Sequence, residues 1–262
     1  MEKKIPVKLF FNPLQDVDYY SNLLQDNLDI VVNEKQPEFV IAVGGDGTFL
    51  RAVHQNLSLL NKCVFLGINT GSLGFFADYD IDELDDINSS INDISKRKVV
   101  TSSLLKGEIT YEGKKKIIYA INEIKLENPF QTLICDVYIN DDLLEVFRGT
   151  GLIVSSSIGS SGLSRSLGGA LVDPALETLQ LSEEASIQNN IYRSLASSLI
   201  IDKNGIITLK GNFEKVIVGY DYLYETLNNV TELKICLSHK KMKIAKKANH
   251  SYINTVEKSF IK

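Results

Sequence analysis

A β-branched apolar run, Phe39–Val43, passes straight into Gly44-Gly45-Asp46-Gly47-Thr48 and then into Phe49, Leu50, Val53 and Leu57, which share one helical face. The pattern reads strand, glycine turn, helix, with the strand apolar on both sides. Such a strand belongs to a parallel sheet covered by helices on both faces. Three glycines within four positions let backbone N–H groups approach an anion, and the following helix turns its positive end to the same spot. A phosphate suits such a turn. The carboxylate of Asp46 repels one unless it meets a cation or a hydroxyl, and the alternative is that it only caps the helix.

The neighbouring segments repeat this alternation. Residues 7–11, 30–32 and 63–68 read as strands, and residues 19–27 and 80–95 as helices. The loop Gly67-Ile68-Asn69-Thr70-Gly71-Ser72-Leu73-Gly74-Phe75-Phe76 follows a strand as the glycine turn does. In an open parallel sheet both then border one crevice beyond the strand ends. Phe75 either flanks a base there or joins Phe76 in the core. Past residue 99 the texture changes to short alternating runs at 107–111, 116–121, 135–139, 143–147, 206–209, 215–218 and 233–237, which suit antiparallel strands. Residues 251–260 read as a returning helix.

Composition narrows the class of partner. The 262 residues carry 28 basic and 33 acidic side chains, a formal charge of −5. Nucleic acid and anionic membranes are disfavoured, because phosphate contacts need clustered Lys and Arg. No run approaches the roughly 20 apolar residues of a spanning helix, and the N-terminus lacks the apolar stretch of a signal peptide. A cytoplasmic location is expected. Cys63, Cys135 and Cys236 form no CxxC pair and read as reduced thiols. His54, His239 and His250 lack metal-ligand spacing, so no protein-held metal is expected. Lys240, Lys241, Lys243, Lys246 and Lys247 read as a solvated face.

Three stretches of the second half carry further chemistry. Asn122-Glu123 interrupts an apolar run, and an amide beside a carboxylate suits an adenine and a ribose diol, or else lines an edge strand. Seven serines lie in residues 155–166, with Gly159 and Gly162 among them. Flanked by apolar runs, they read as a hydroxyl-and-amide cradle rather than a linker. Arg148 stands upstream, either to pair with a phosphate or as an exposed arginine.

In this order the motifs resemble the NAD kinase family, and the similarity covers most of the chain. Its markers are the Gly44–Thr48 turn, the Thr70–Phe75 loop, Asn122-Glu123, and the blocks Phe147-Arg148-Gly149, Leu167-Gly168-Gly169-Ala170-Leu171-Val172-Asp173-Pro174 and Leu179-Gln180-Leu181. The run Glu184–Asn190 is similar to that of Gram-positive members. The change of texture divides the chain into 1–99 and 100–262; the resemblance implies an α/β domain with a parallel sheet for the first part and a β-sandwich-like domain for the second, the last segment packing back on the first. It further implies a homotetramer, or a homodimer, and transfer of a phosphoryl group from ATP or polyphosphate, with Mg2+, to the 2′-hydroxyl of the adenosine ribose of NAD.

Carried over by motif, Asp46 orients that hydroxyl and accepts its proton, within a turn formed by Gly44, Gly45, Gly47 and Thr48. Asn122 and Glu123 hold the adenosine, Phe75 lines its pocket, and Ser161 meets the adenine. Thr150, Gly162, Leu163 and Ser166 line the remainder. Arg148 meets the new 2′-phosphate, and Ala185 and Ile187 arrive from an adjacent subunit. The family pattern has an aspartate where Thr150 stands, a proline at Ser157, an alanine at Gly162 and a tyrosine at Leu163. Losing the charged contact implies binding weaker by about 10- to 100-fold at the far end of the substrate. Two alternatives stand beside this reading. One is a weakened or non-catalytic dinucleotide-binding relative. The other is a lipid or small-molecule kinase with the same glycine-aspartate turn.

Overall fold

A computed structural model describes residues 4–71 and 74–262; Ser72 and Leu73, part of the loop above, lie outside the described residues. The chain divides into two compact units, Met1–Thr101 with Lys240–Lys262, and Ser102–His239. Among the described residues no helix is long and apolar enough to cross a membrane.

The first unit is a parallel sheet with helices. Strand β1 (Ile5–Phe11) lies between β2 (Ile30–Val32) and β3 (Phe39–Val43), and β3 pairs in turn with β4 (Val64–Asn69). All five residues of β3 are buried, as expected of an apolar strand in the middle of such a sheet. Helix α1 (Val17–Asn27) joins β1 to β2 and α2 (Asp46–Gln55) joins β3 to β4, while α3 (Leu84–Asn92) follows them in the chain. Leu24, Ile41, Leu66, Ile87 and Ile91 share one core cluster. The helix expected over 80–95 is shorter, because residues 77–80 form a further strand, β5 (Ala77–Asp80), on β4. A four-residue strand ending in a charged residue carries too little alternation to be read in advance. Leu57 falls beyond the end of α2, and Ala52 is buried there with Phe49, Leu50 and Val53 instead.

The second unit is antiparallel and β-sandwich-like. Its strands are β6 (Arg97–Tyr111), β7 (Lys114–Ala120), β8 (Glu123–Glu127), β9 (Leu133–Ile139), β10 (Asp142–Gly149), β11 (Gly151–Ser156), β12 (Thr178–Glu184), β13 (Leu199–Asp202), β14 (Ile206–Tyr220) and β15 (Leu223–Lys247). Strand β8 runs between β11 and β14, so Glu123 opens an interior strand and the edge-strand expectation is corrected. The separate strands expected over 206–209 and 215–218 are one strand, β14, whose register shifts between Lys210 and Phe213. A bulge interrupts the alternation that sequence reading follows, and so looked like a break. Phe147, Val154, Leu181, Val218 and Leu233 belong to its core. The serine-rich block folds as a 3-10 turn, Ile158–Ser161, and a single helical turn α4 (Leu163–Ser166).

The last stretch of β15 enters the first unit, where Ile244 and Ala245 pair in parallel with β4. Helix α5 (Tyr252–Phe260) follows, with the Ser251 side chain accepting from Asn254 N–H at its start.

Candidate active site

In the first unit the glycine turn is built around Asp46. Gly44 takes φ 145°, a left-handed backbone that side chains disfavour, and its N–H donates to Ile68 O at 2.9 Å. Gly45 precedes α2 and supplies no side-chain cap. Asp46 is the first helical residue, so the capping alternative does not hold. Its carboxylate instead accepts two backbone N–H groups, Phe75 at 2.8 Å and Phe76 at 3.0 Å. A Cβ on Gly74 would collide with that carboxylate. Only glycine lets the loop approach so closely. The expected crevice neighbours, the glycine turn and the 67–76 loop, therefore meet at Asp46.

The remaining residues of this half have distinct places. A Cβ on Gly45 or Gly47 would meet nothing within 4 Å, which leaves the outer side of the turn open. Thr48 is buried and accepts from Arg51 at 3.2 Å. Phe76 stacks on Phe49 at 4.9 Å in the core, whereas Phe75 stays half-buried with its ring 5.4 Å from Phe260.

The solvated lysine face needs correction. Lys246 is only 4% exposed, on the inward side that Met242 and Ile244 begin. Its ammonium donates to Phe75 O at 2.6 Å and Phe76 O at 3.1 Å. Burial pushes the Lys246 pKa down, against the pull of Asp78 and Asp46. Burial alone would raise the Asp78 carboxyl, but the His250 hydrogen bond, the Lys246 charge and the Lys247 N–H outweigh it and hold it below its usual range.

In the second unit, Asn122-Glu123 is held by its main chain. Asp221, at φ 53° in the turn between β14 and β15, accepts N–H from Ile121 at 2.8 Å, Asn122 at 2.7 Å and Glu123 at 3.4 Å. From the other side, Ser156 N–H donates to Asn122 O at 2.9 Å, and a Cβ on Gly159 would overlap the Asn122 backbone. Each side chain keeps one oxygen unsatisfied. Asn122 Oδ1 and Glu123 Oε2 are buried with no partner in the protein, and so is the hydroxyl of Ser155, which faces Glu123 across the β11/β8 register. Orphaned buried acceptors on adjacent residues mark a place where a ligand's donors belong. Burial first, then the nearby Asp221 charge, pushes Glu123 up to about 7, although Lys125 and a backbone N–H from Leu163 oppose the rise.

The cradle expected of the serines is mostly a frame. Ser157 accepts from Thr178 N–H at 2.7 Å, Ser160 from Val172 N–H at 2.9 Å and Ser164 from Gln180 at 2.8 Å. These hydroxyls are spent inside the fold. Ser161, Gly162 and Leu163 remain half-buried, the latter two beside Glu123, and Ser166 is exposed.

Arg148, Thr150, Ala185 and Ile187 form a separate group in this unit. Ile187 N–H donates to Arg148 O at 2.7 Å, and Thr150 N–H to Glu184 O at 3.0 Å. The Arg148 guanidinium lies over the Tyr192 ring at 4.4 Å, so it is stacked and half-buried rather than freely solvated. This group flanks the Gly151 end of β11 and Glu123 the Ser155 end, about 13 Å apart at the usual strand rise. Among the described residues no three His, Cys, Asp or Glu side chains converge on a metal position.

Residues 19–99 match the sequence profile of the ATP-NAD kinase N-terminal domain, and residues 122–246 that of the ATP-NAD kinase C-terminal domain. The chain belongs to the NAD kinase family. It is 34% identical over 251 residues to the NAD kinase of Lactobacillus acidophilus, spanning 95% of this chain and 92% of that one. With NAD kinase 1 of Listeria monocytogenes it shares 37% over 254 residues, 93% and 96% of the two chains. Its fold is similar to that of yeast NADH kinase complexed with NADH, at TM-score 0.83 and 17% identity over 98% of this chain and 87% of that one. An NAD kinase of Archaeoglobus fulgidus in complex with ATP gives TM-score 0.76 and 20% identity, over 97% and 99%. Family membership sets aside the lipid-kinase alternative.

Sequence reasoning missed Asp221 and Lys246. A lone aspartate in a hairpin turn and a lysine in a basic strand carry no local signal of the backbone groups they hold.

Proposed function

We propose that the protein transfers the γ-phosphoryl group of ATP, or a phosphoryl group of polyphosphate, to the 2′-hydroxyl of the adenosine ribose of NAD. The observation that carries this reading is the pair of orphaned acceptors, Asn122 Oδ1 and Glu123 Oε2, in a chain whose Asp46 carboxylate is fixed by two N–H groups. Asn122 and Glu123 take the hydrogen-bond donors of the adenosine. Asp46 accepts the proton of the 2′-hydroxyl as its oxygen bonds to the transferred phosphorus and the donor's bridging P–O bond breaks. Positioning and charge neutralisation suffice for such a transfer. The open side of the Gly44–Thr48 turn offers N–H groups to the donor phosphates.

The described residues do not form a metal cage. Mg2+ commonly binds through few protein ligands together with substrate phosphates, so a divalent cation belongs with the donor, and no step is assigned to it. Arg148 sits with Ala185 and Ile187 at the far end of β11 from Glu123. All three then serve the site of a neighbouring subunit in a homodimer or homotetramer. A reducing cytoplasm suits the unpaired Cys63, Cys135 and Cys236. A weakened kinase is the second reading, favoured by Thr150 and Leu163 where the family has an aspartate and a tyrosine.

NADP formation measured with Mg-ATP and with polyphosphate, beside an Asp46→Asn variant, tests the proposal. Wild type is expected to make NADP, and the variant to fall by about 100-fold or more in kcat, the scale of a lost acid-base group. Wild-type protein that makes no more NADP than the variant with either donor overturns it.

A further inference from the structure

The peptide group between Phe75 and Phe76 is held at both ends. Its carbonyl oxygen, that of Phe75, accepts from Lys246 Nζ at 2.6 Å, and its N–H, that of Phe76, donates to Asp46 Oδ1 at 3.0 Å. The same ammonium also reaches Phe76 O at 3.1 Å, and Phe75 N–H reaches Asp46 Oδ2 at 2.8 Å. A peptide is planar, so its two ends cannot turn independently. With a cation on the oxygen and an anion on the N–H, the charges polarise the group in one direction and strengthen both bonds. Asp78 lies near the same ammonium and is itself tied to His250 at 3.0 Å and to Lys247 N–H at 2.8 Å.

Burying an ammonium is costly, and an apolar side chain of similar length would fill the space at less expense. Packing alone therefore gives no reason for a lysine. We infer that Lys246 is a positioning residue for phosphoryl transfer, fixing the Asp46 carboxylate through the Phe75–Phe76 peptide. This rests on the assignment of Asp46 to the transfer. The ammonium itself touches neither the substrate nor the transferred group. Its removal acts on how well Asp46 is aimed, and so on kcat rather than on how NAD is held.

Lys246→Met, Lys246→Arg and wild type are compared for kcat, KM for NAD and amide hydrogen exchange. In the Met variant kcat is expected to fall by about 10- to 100-fold, the value of a charge-assisted hydrogen bond, with KM changed by less than about threefold. The Phe75 and Phe76 amides are expected to exchange faster while those of β1 and β3 keep their protection. The Arg variant, which keeps the charge and donors, recovers most of kcat. If the Met variant does not fold, Lys246→Gln takes its place with the same readouts. A folded neutral variant with wild-type kcat and unchanged Phe75 and Phe76 exchange overturns the inference, and so do Met and Arg variants that behave alike. Wild-type protein that forms no NADP overturns the kinase reading instead, and the exchange measurement still decides whether Lys246 holds the peptide.

Discussion

Glu123 couples the candidate site to pH. Burial and the Asp221 charge raise its carboxyl to about 7 from 4.5, so the folded chain keeps a proton that the unfolded chain has released across that interval. This group's contribution to stability therefore falls as pH rises through the same window. In the binding role proposed for Glu123 the sign is opposite, because an ionised carboxylate is the better acceptor for ribose hydroxyls. The KM for NAD is expected to fall about tenfold between about pH 6 and about pH 8 as the competent fraction rises. A Glu123→Gln variant, weaker throughout, should show a flat profile; initial rates across that range check both. A wild-type profile as flat as that of the variant would remove Glu123 ionisation from binding.

At the level of elements, the segment after β12 hangs on two carboxyl groups. Leu195 N–H donates to Glu145 and to Glu183, each at 3.1 Å, and Ala196 N–H to Glu183 at 3.1 Å. Burial, then the hydrogen bond and charge of Glu183, lift the Glu145 pKa well above the usual carboxylate range. As Glu145 loses its proton with rising pH, its new charge lies beside Glu183 and weakens the arrangement that holds the segment. Hydrogen exchange at Leu195 and Ala196, corrected for its intrinsic pH dependence, should therefore speed up as pH passes neutrality. Glu145→Gln should abolish the response. Elements with strong periodicity were legible in the sequence: β3 and α2 announce themselves, and the alternating runs 107–111 with 116–121 and 135–139 with 143–147 fall in two antiparallel pairs. What stayed hidden was set by distant partners. Nothing near Lys246 tells that β4 receives the end of β15, and nothing in the serine block tells that Thr178, Val172 and Gln180 claim its hydroxyls.

For the molecule as a whole, the β9–β10 hairpin and the segment after β12 leave apolar side chains uncovered beside Arg148. Ile134, opposite Arg148 in register, is 53% exposed, and Ile191 81%. The homo-oligomer proposed above would cover them and would bring Arg148, Ala185 and Ile187 to a site that their own β11 keeps at a distance. Wild type is expected to sediment as a dimer or tetramer, and an Ile134→Asp, Ile191→Asp double variant as a smaller species with reduced activity. An active wild-type monomer would defeat this. The support that Leu163 gives Glu123 is a main-chain N–H. A main-chain donor is the same whatever side chain it precedes, so position 163 can trade an aromatic for an aliphatic without loosening the carboxyl group. Under the proposed assignment, divergence there would retune what the pocket admits while the frame around Glu123 stands, and would let selectivity evolve apart from the machinery that performs the transfer.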